Sequence, residues 1–392
     1  MSLQRNNSPK DLVGMATVLV LAAFALWWWF GRAEQTTLPL PPTAQFKTKQ
    51  GQSPSTPAAS VPAKNPSPLT NSVLKTSIIS LQGAPDATAA RKSLAALRAT
   101  LSAMPTHEAV GLIRQFLDSK ADVSTQLGFR IGAHGLLDDA PTLRVYLLDE
   151  LSRLDPAEAA DYAKVILASK DSSDEWAVAL RNLARGDDSD AGRTLLQQKT
   201  RELLQCESWR QNPSTGFLEA FDVAVYLGGD GLMPTLTDLI RQQTNPAVAH
   251  ASFLALDRLV LNNPIPTLNG LLADPGLMQG RELTRADYFS RADVGDPRQR
   301  QILESYLLNP STTAAEIDAF ASVFPNADFM ISPNLLTQSP TLDHTTLVNR
   351  DAASLRVAQA WLEDPRFAQL RPELQKTVSR LQGFVRQENG SR

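Results

Sequence analysis

FDVAVYLGGDGLMPTLTDLIRQQTNPAVAHASFLALDRLVLNNPIPTLNGLLADP, residues 221–275, decides the fold. Pro-Thr-Leu occurs in it twice, at Pro234 and Pro266, and the 32 residues between the two prolines are the length of one helical hairpin. Two further copies stand at Pro141 and Pro340, and Pro105 opens the related PTHEAVGLI. Proline favours the first turn of a helix, where no backbone donor is missed, so each copy is expected to open one. Apolar residues in the flanking runs GFLEAFDVAVYL and AHASFLALDRLV recur at helical spacing, and each run predicts one helix.

The same period extends outward in both directions. In RKSLAALRATLSAM, Leu94, Leu97, Leu101 and Met104 form one stripe; Val110, Ile113 and Leu117 form the next, and Leu143, Leu147, Leu151 and Leu154 a third. Asp155-Pro156 then reads as a helix break and restart, and Thr313 with Glu316 as a capping box before IDAFASVF. No pair of alternating strands is evident. A chain of 392 residues with 43% hydrophobic side chains can bury a substantial core, and the fold class is all-α.

In residues 221–275 an Ala/Leu-rich helix, a short turn with Gly or Asn, a Pro-opened helix carrying leucines and an Asn/Asp-Pro junction follow in order. This resembles two successive HEAT-type repeats, and Gly128 through Pro156 is similar. The likeness covers residues 124–275; Val248 stands where such repeats often carry an arginine, and the step from Pro141 to Pro234 is irregular. The resemblance implies a HEAT-like α-solenoid or irregular helical array whose concave surface binds proteins.

Ahead of the helical body, LVGMATVLVLAAFALWWWF (residues 12–30) has no charged side chain. As a helix it spans about 28 Å, close to the roughly 30 Å hydrocarbon core of a bilayer. Trp27, Trp28, Trp29 and Phe30 fall at one end with Arg32 just beyond, the arrangement of rings and cations at a membrane interface. Bulky indoles replace the small residues that a signal-peptide cleavage site needs, so a retained anchor is expected. The lipid bilayer is thus the first partner, through residues 12–30. The short tail, residues 1–11, is expected in the cytoplasm, which sends the body to the outer side, periplasmic or extracellular if the cell is bacterial. Residues 31–75 hold eight prolines among Ser, Thr, Ala, Gln and Lys and read as a disordered linker. The helical domain is then residues 76–392.

Of the 38 Lys and Arg, seven lie in residues 1–75, and of the 41 Asp and Glu, two do; the remainder holds 31 basic and 39 acidic groups. An acidic body argues against nucleic acid, whose affinity for proteins comes largely from phosphate neutralisation. The single cysteine, Cys206, excludes an internal disulfide.

The sequence contains no G-x-S-x-G, P-loop, H-E-x-x-H or paired-cysteine motif. Gly228-Gly229-Asp230-Gly231 lacks a preceding strand and reads as a turn. Some HEAT-type enzymes hold metal through several His-Glu pairs, and only His107-Glu108 occurs here. His107, His134, His250 and His344 are not spaced to share a metal. The acidic groups Asp171, Asp174, Glu175 and Asp187, Asp188, Asp190 stand before helical stripes, where Asp and Ser are expected to cap free amide groups and complement the helix dipole rather than bind a cation. Arg185-Gly186-Asp187 spells an adhesion tripeptide at a helix end, and Trp176, Trp209 and Trp361 fit helix faces as core residues. No catalytic residue, metal or cofactor is assigned. The expectation is a membrane-anchored scaffold that binds other proteins. Its alternatives are an enzyme or metal-binding protein whose site spacing does not reveal, and a structural envelope component.

Overall fold

The computed structural model describes residues 68–390, except 230, 328–331 and 339–341. The expected span at 12–30, its interface residues Trp27, Trp28, Trp29, Phe30 and Arg32, most of the linker and the Pro-Thr-Leu at Pro340 lie outside the described residues. Among the described residues no helix is long and apolar enough to cross a membrane.

The described chain is largely helical, as its period requires. The first helix, α1 (Pro68–Gln82), starts eight residues before the expected start of the helical domain at 76, because Leu74 and Leu81 give it an apolar face buried against α2 (Ala87–Ser102). Next come α3 (Thr106–Asp118), a small hairpin of β1 (Arg130–Ile131) and β2 (Leu137–Asp139), and α4 (Leu143–Leu154). Then follow α5 (Pro156–Ile166), α6 (Ser173–Gly186), α7 (Asp190–Leu204), α8 (Glu207–Gln211), α9 (Thr215–Glu219) and α10 (Asp222–Tyr226). The C-terminal half comprises α11 (Met233–Gln242), α12 (Pro246–Asn262), α13 (Pro264–Ala273), α14 (Glu282–Ser290) and α15 (Pro297–Leu307). It ends with α16 (Ala314–Val323), α17 (His344–Glu363) and α18 (Arg371–Gly390).

Local chemistry sets the boundaries. Asp155 accepts the Glu158 N–H at 3.0 Å while Pro156 occupies the first turn of α5, and the Thr313–Glu316 capping box closes the start of α16. The Pro-Thr-Leu copies sit in different registers: Thr142 caps α4, Pro234 lies in the first turn of α11, and Pro266 follows Pro264 inside α13. The helix expected over GFLEAFDVAVYL is instead two. At Phe221, Val223 and Ala224 the backbone bonds shift to three-residue spacing, which tightens the chain and separates α9 from α10.

Helices pack mainly on partners one or two places along the chain: α5 on α6, α11 on α12 and α17 on α18 are adjacent, while α13 packs on α15 and α14 on α16. Ten of the twelve residues of α4 are buried, including Arg144, Asp149, Glu150 and Ser152, so its charges need partners inside the protein. The hairpin was not expected; strands of two and three residues are too short for alternation to register. One segment returns over a much longer separation. Residues 332–338 return to the hairpin, α6 and α10, as much as 150 residues upstream by hydrogen bonding.

Candidate functional site: a cleft between a pinned hairpin and a returning segment

The site starts from a buried ion pair. The Arg181 guanidinium and the Asp149 carboxylate are both fully buried, 2.5 Å apart, on α6 and α4. Arg181 also donates to the Gly135 carbonyl at 2.9 Å and to Asn182 Oδ1, while Asp149 Oδ1 accepts the Leu137 N–H at 3.0 Å. Buried charges of this kind are stable only when fully hydrogen-bonded, and here the bonds that satisfy them come from the hairpin backbone. The pair therefore fixes the turn between β1 and β2 to two helices.

The turn itself has an uncommon path. His134 (φ 57°) and Gly135 (φ 66°) are consecutive left-handed residues. A Cβ on Gly135 would overlap the carbonyl of Leu335 and lie 2.7 Å from Arg185 Nη2. Only glycine permits residues 332–338 to pass this close.

Side chains from several helices hold that returning segment by its backbone. Asp222 Oδ2 accepts the N–H groups of Leu336 at 2.7 Å and Thr337 at 2.9 Å, and Asp222 Oδ1 accepts the Thr337 hydroxyl and Arg258 Nη1, the latter at 3.1 Å. Arg185 Nη2 donates to the carbonyls of Leu335, at 2.9 Å, and His134. The Leu335 side chain is fully buried.

Between the hairpin and this segment lies a cleft of about 1110 Å³ lined by Arg130, His134, Asp138, Arg185, Asn334 and Thr337 among others. Asp139 at its edge is held below the usual carboxylate range by its hydrogen bond with Arg91, assisted by Arg130. Burial raises Glu150 despite its bond with Arg98, and burial likewise raises Glu219, which lies close to Asp222 and Arg258. Arg185 keeps a solvent-exposed face, yet the protein around it and the neighbouring Arg181 cation lower its guanidinium to about 10.

Several expectations meet the geometry here. At these helix starts the serines do the capping, Ser172 and Ser189 accepting the first-turn N–H groups of α6 and α7, while Asp174, Glu175 and Asp190 stand in the first turns, where a carboxylate complements the helix dipole. Asp174 also accepts from Ser214 and the Gly216 N–H at the start of α9, and Glu175 forms a two-bond pair with Arg144 at 2.7 and 2.9 Å. These carboxylates are spent on tertiary contacts, which sequence proximity to a helix start does not reveal. Arg185-Gly186-Asp187 is not a projecting tripeptide: Arg185 faces the cleft, Gly186 abuts the Pro156 carbonyl, and Asp187 pairs with Lys164 at 3.1 Å.

The histidines are dispersed, with His107 in the first turn of α3, His134 in the hairpin turn, His250 stacked near Phe253 and His344 opening α17. Among the described residues no group of three or more His, Cys, Asp or Glu is placed to hold a metal ion. Trp176 and Trp361 are core residues, and Trp209 packs edge-on against Trp176 at 5.3 Å. Cys206 is buried ahead of α8, and Gly228, Gly229 and Gly231 form the expected turn with positive φ.

Asp149, Arg181, Asp222 and residues 332–338 were not singled out from the sequence. The only available signal for the segment was the breaker-rich SPNLLTQSP between two helical patterns. No protein-family model matches this chain, and neither a curated protein nor a solved structure matches it.

Proposed function

We propose that this chain is a membrane-tethered helical-repeat scaffold that binds extended segments of other proteins in the cleft between the β1–β2 hairpin and residues 332–338. The observation that carries the reading is the way the helices hold 332–338. A buried carboxylate takes two consecutive backbone N–H groups, an arginine takes a carbonyl, and one leucine fills the core. Those are the contacts by which proteins read extended peptides, with main-chain bonds giving affinity and one apolar anchor giving register. A cleft of about 1110 Å³ beside that segment offers space for a second strand of chain. The packing of helices on partners one or two places along the chain and the HEAT-like pattern of residues 124–275 favour an array whose surface serves recognition. The uncharged stretch 12–30 supports the tether, and the proline-rich linker would let the body stand clear of the bilayer.

Affinity capture with the full chain from its own membranes tests both halves. A protein recovered with the wild type and lost when Gln338, an exposed residue lining the cleft, is replaced by Trp supports the scaffold reading; identical recovery with both chains refutes it. Recovery of the chain in the carbonate-soluble fraction, with residues 12–30 intact, refutes the tether.

A further inference from the structure

We infer that the cleft contains an oxyanion site, with Arg185 as its anchor, for a carboxylate or phosphate group on the bound ligand. The inference deepens the reading of the cleft as a binding site but does not require the occupant to be a protein.

Charge does not balance around the cleft. In the core that holds the hairpin turn, Arg181 and Arg153 share Asp149, at 2.5 and 3.3 Å, while Arg153 and Arg98 share Glu150, at 3.3 and 2.6 Å. With Arg185 this sets four guanidinium groups against two carboxylates. At the rim the charges cancel: Arg130 lies 3.1 Å from Asp138 and 2.8 Å from Asp139, and Arg91 lies 2.8 Å from Asp139. Beyond the returning segment Asp222 is engaged by Arg258, by two backbone N–H groups and by the Thr337 hydroxyl. Among the described residues no carboxylate forms an ion pair with Arg185. Burial is the main cause that lowers the Arg185 guanidinium, and Arg181 and Arg153 add to it against the opposing pull of Asp149. An anion entering the cleft supplies the ion-pair partner that Arg185 lacks, and in a partly desolvated pocket the gain exceeds what the same pair yields in water.

The geometry is also suited to capture. Arg185 Nη2 is fixed by the His134 and Leu335 carbonyls, which leaves the remaining edge of the planar guanidinium for a ligand oxygen. Asn334, 5% exposed, lines the same cleft, and its Nδ2 has no acceptor, although Oδ1 takes the Ser332 hydroxyl at 3.1 Å. A buried amide donor without an acceptor is costly, and a ligand oxygen would satisfy it.

The test uses the detergent-solubilised full chain and an arginine-specific dicarbonyl reagent, with modified residues mapped by mass spectrometry. Sodium phosphate or sodium citrate, at fixed ionic strength, is expected to protect Arg185 at least fivefold while leaving Arg298, whose side chain is 77% exposed, unprotected. Titration calorimetry with the same salts should show saturable binding that Arg185→Lys retains and Arg185→Gln weakens at least tenfold. Absence of selective protection of Arg185 in the wild type overturns the proposal, whatever the variants do, as does equal binding by wild type and a folded Arg185→Gln. Protection by a hexapeptide with a free C-terminal carboxylate but not by its amide assigns the oxyanion to a protein terminus. Protection by phosphate with no effect of either peptide leaves the oxyanion site standing and counts against a protein occupant.

Discussion

The carbonyl of Leu335 passes against Gly135 so closely that a methyl group has no room between them, although the two residues are 200 positions apart in the chain. Gly135 also has φ 66°, a conformation that L side chains rarely adopt. Gly135→Ala therefore incurs both backbone strain and a collision, and should cost about 1–3 kcal/mol. Thermal denaturation of the full chain measures the loss. Limited proteolysis should cut within 332–338 sooner than in the wild type, and an unchanged cleavage rate would disprove the close approach.

The buried pair of Arg181 and Asp149 makes a second, sharper case. Arg181→Met leaves Asp149 in the core with less compensation, and losses of about 3–5 kcal/mol are typical of such a break. Removing both charges, with Arg181→Met and Asp149→Leu together, should destabilise by less than the sum of the single changes, because neither ion is then stranded. A double-mutant cycle from denaturant unfolding decides; strict additivity would mean the two groups do not interact.

Thr337→Val deletes the hydroxyl that donates to Asp222 and keeps the two backbone bonds from Leu336 and Thr337. A bond to a charged acceptor contributes about 1.5–3 kcal/mol, so the segment should loosen locally. Hydrogen exchange at Leu336 and Thr337 should accelerate roughly tenfold or more, while exchange in the distant α17 and α18 is unchanged.

Asp257 gives a pH dependence with a definite sign. Burial, aided by the negative charge of Asp287, raises its carboxyl to about 6, against the opposing pull of Arg291 and Arg258. An unfolded aspartate ionises near about 3.9, so between about pH 4 and pH 6 the folded chain binds more protons than the unfolded one. Stability attributable to Asp257 therefore falls as pH rises through that window, by up to about 3 kcal/mol, and is level on either side. Comparing unfolding free energies of wild type and Asp257→Asn at pH 4, 5, 6 and 7 checks it. The difference between the two proteins should change across the window; a constant difference contradicts the raised value.

Read alone, the sequence determined the class of the fold and several helix boundaries, because both depend on short-range chemistry. The stripe Leu94, Leu97, Leu101 is buried as its spacing requires, Asp155-Pro156 restarts the chain, and Thr313 with Glu316 forms its capping box. The sequence also carries the uncharged run at 12–30, whose reading as a span rests on length and composition alone. Only the tertiary structure decided which charges are buried and with whom. Arg144 finds Glu175, Arg181 finds Asp149, and Asp222 finds Thr337 across separations of 31, 32 and 115 residues. Nothing in local periodicity encodes such meetings: on one helix a charged residue looks solvent-facing until a second element covers it. The cleft follows from the same cause, since it exists only where a segment near residue 335 returns to a hairpin near residue 135, and packing rather than spacing brings them together.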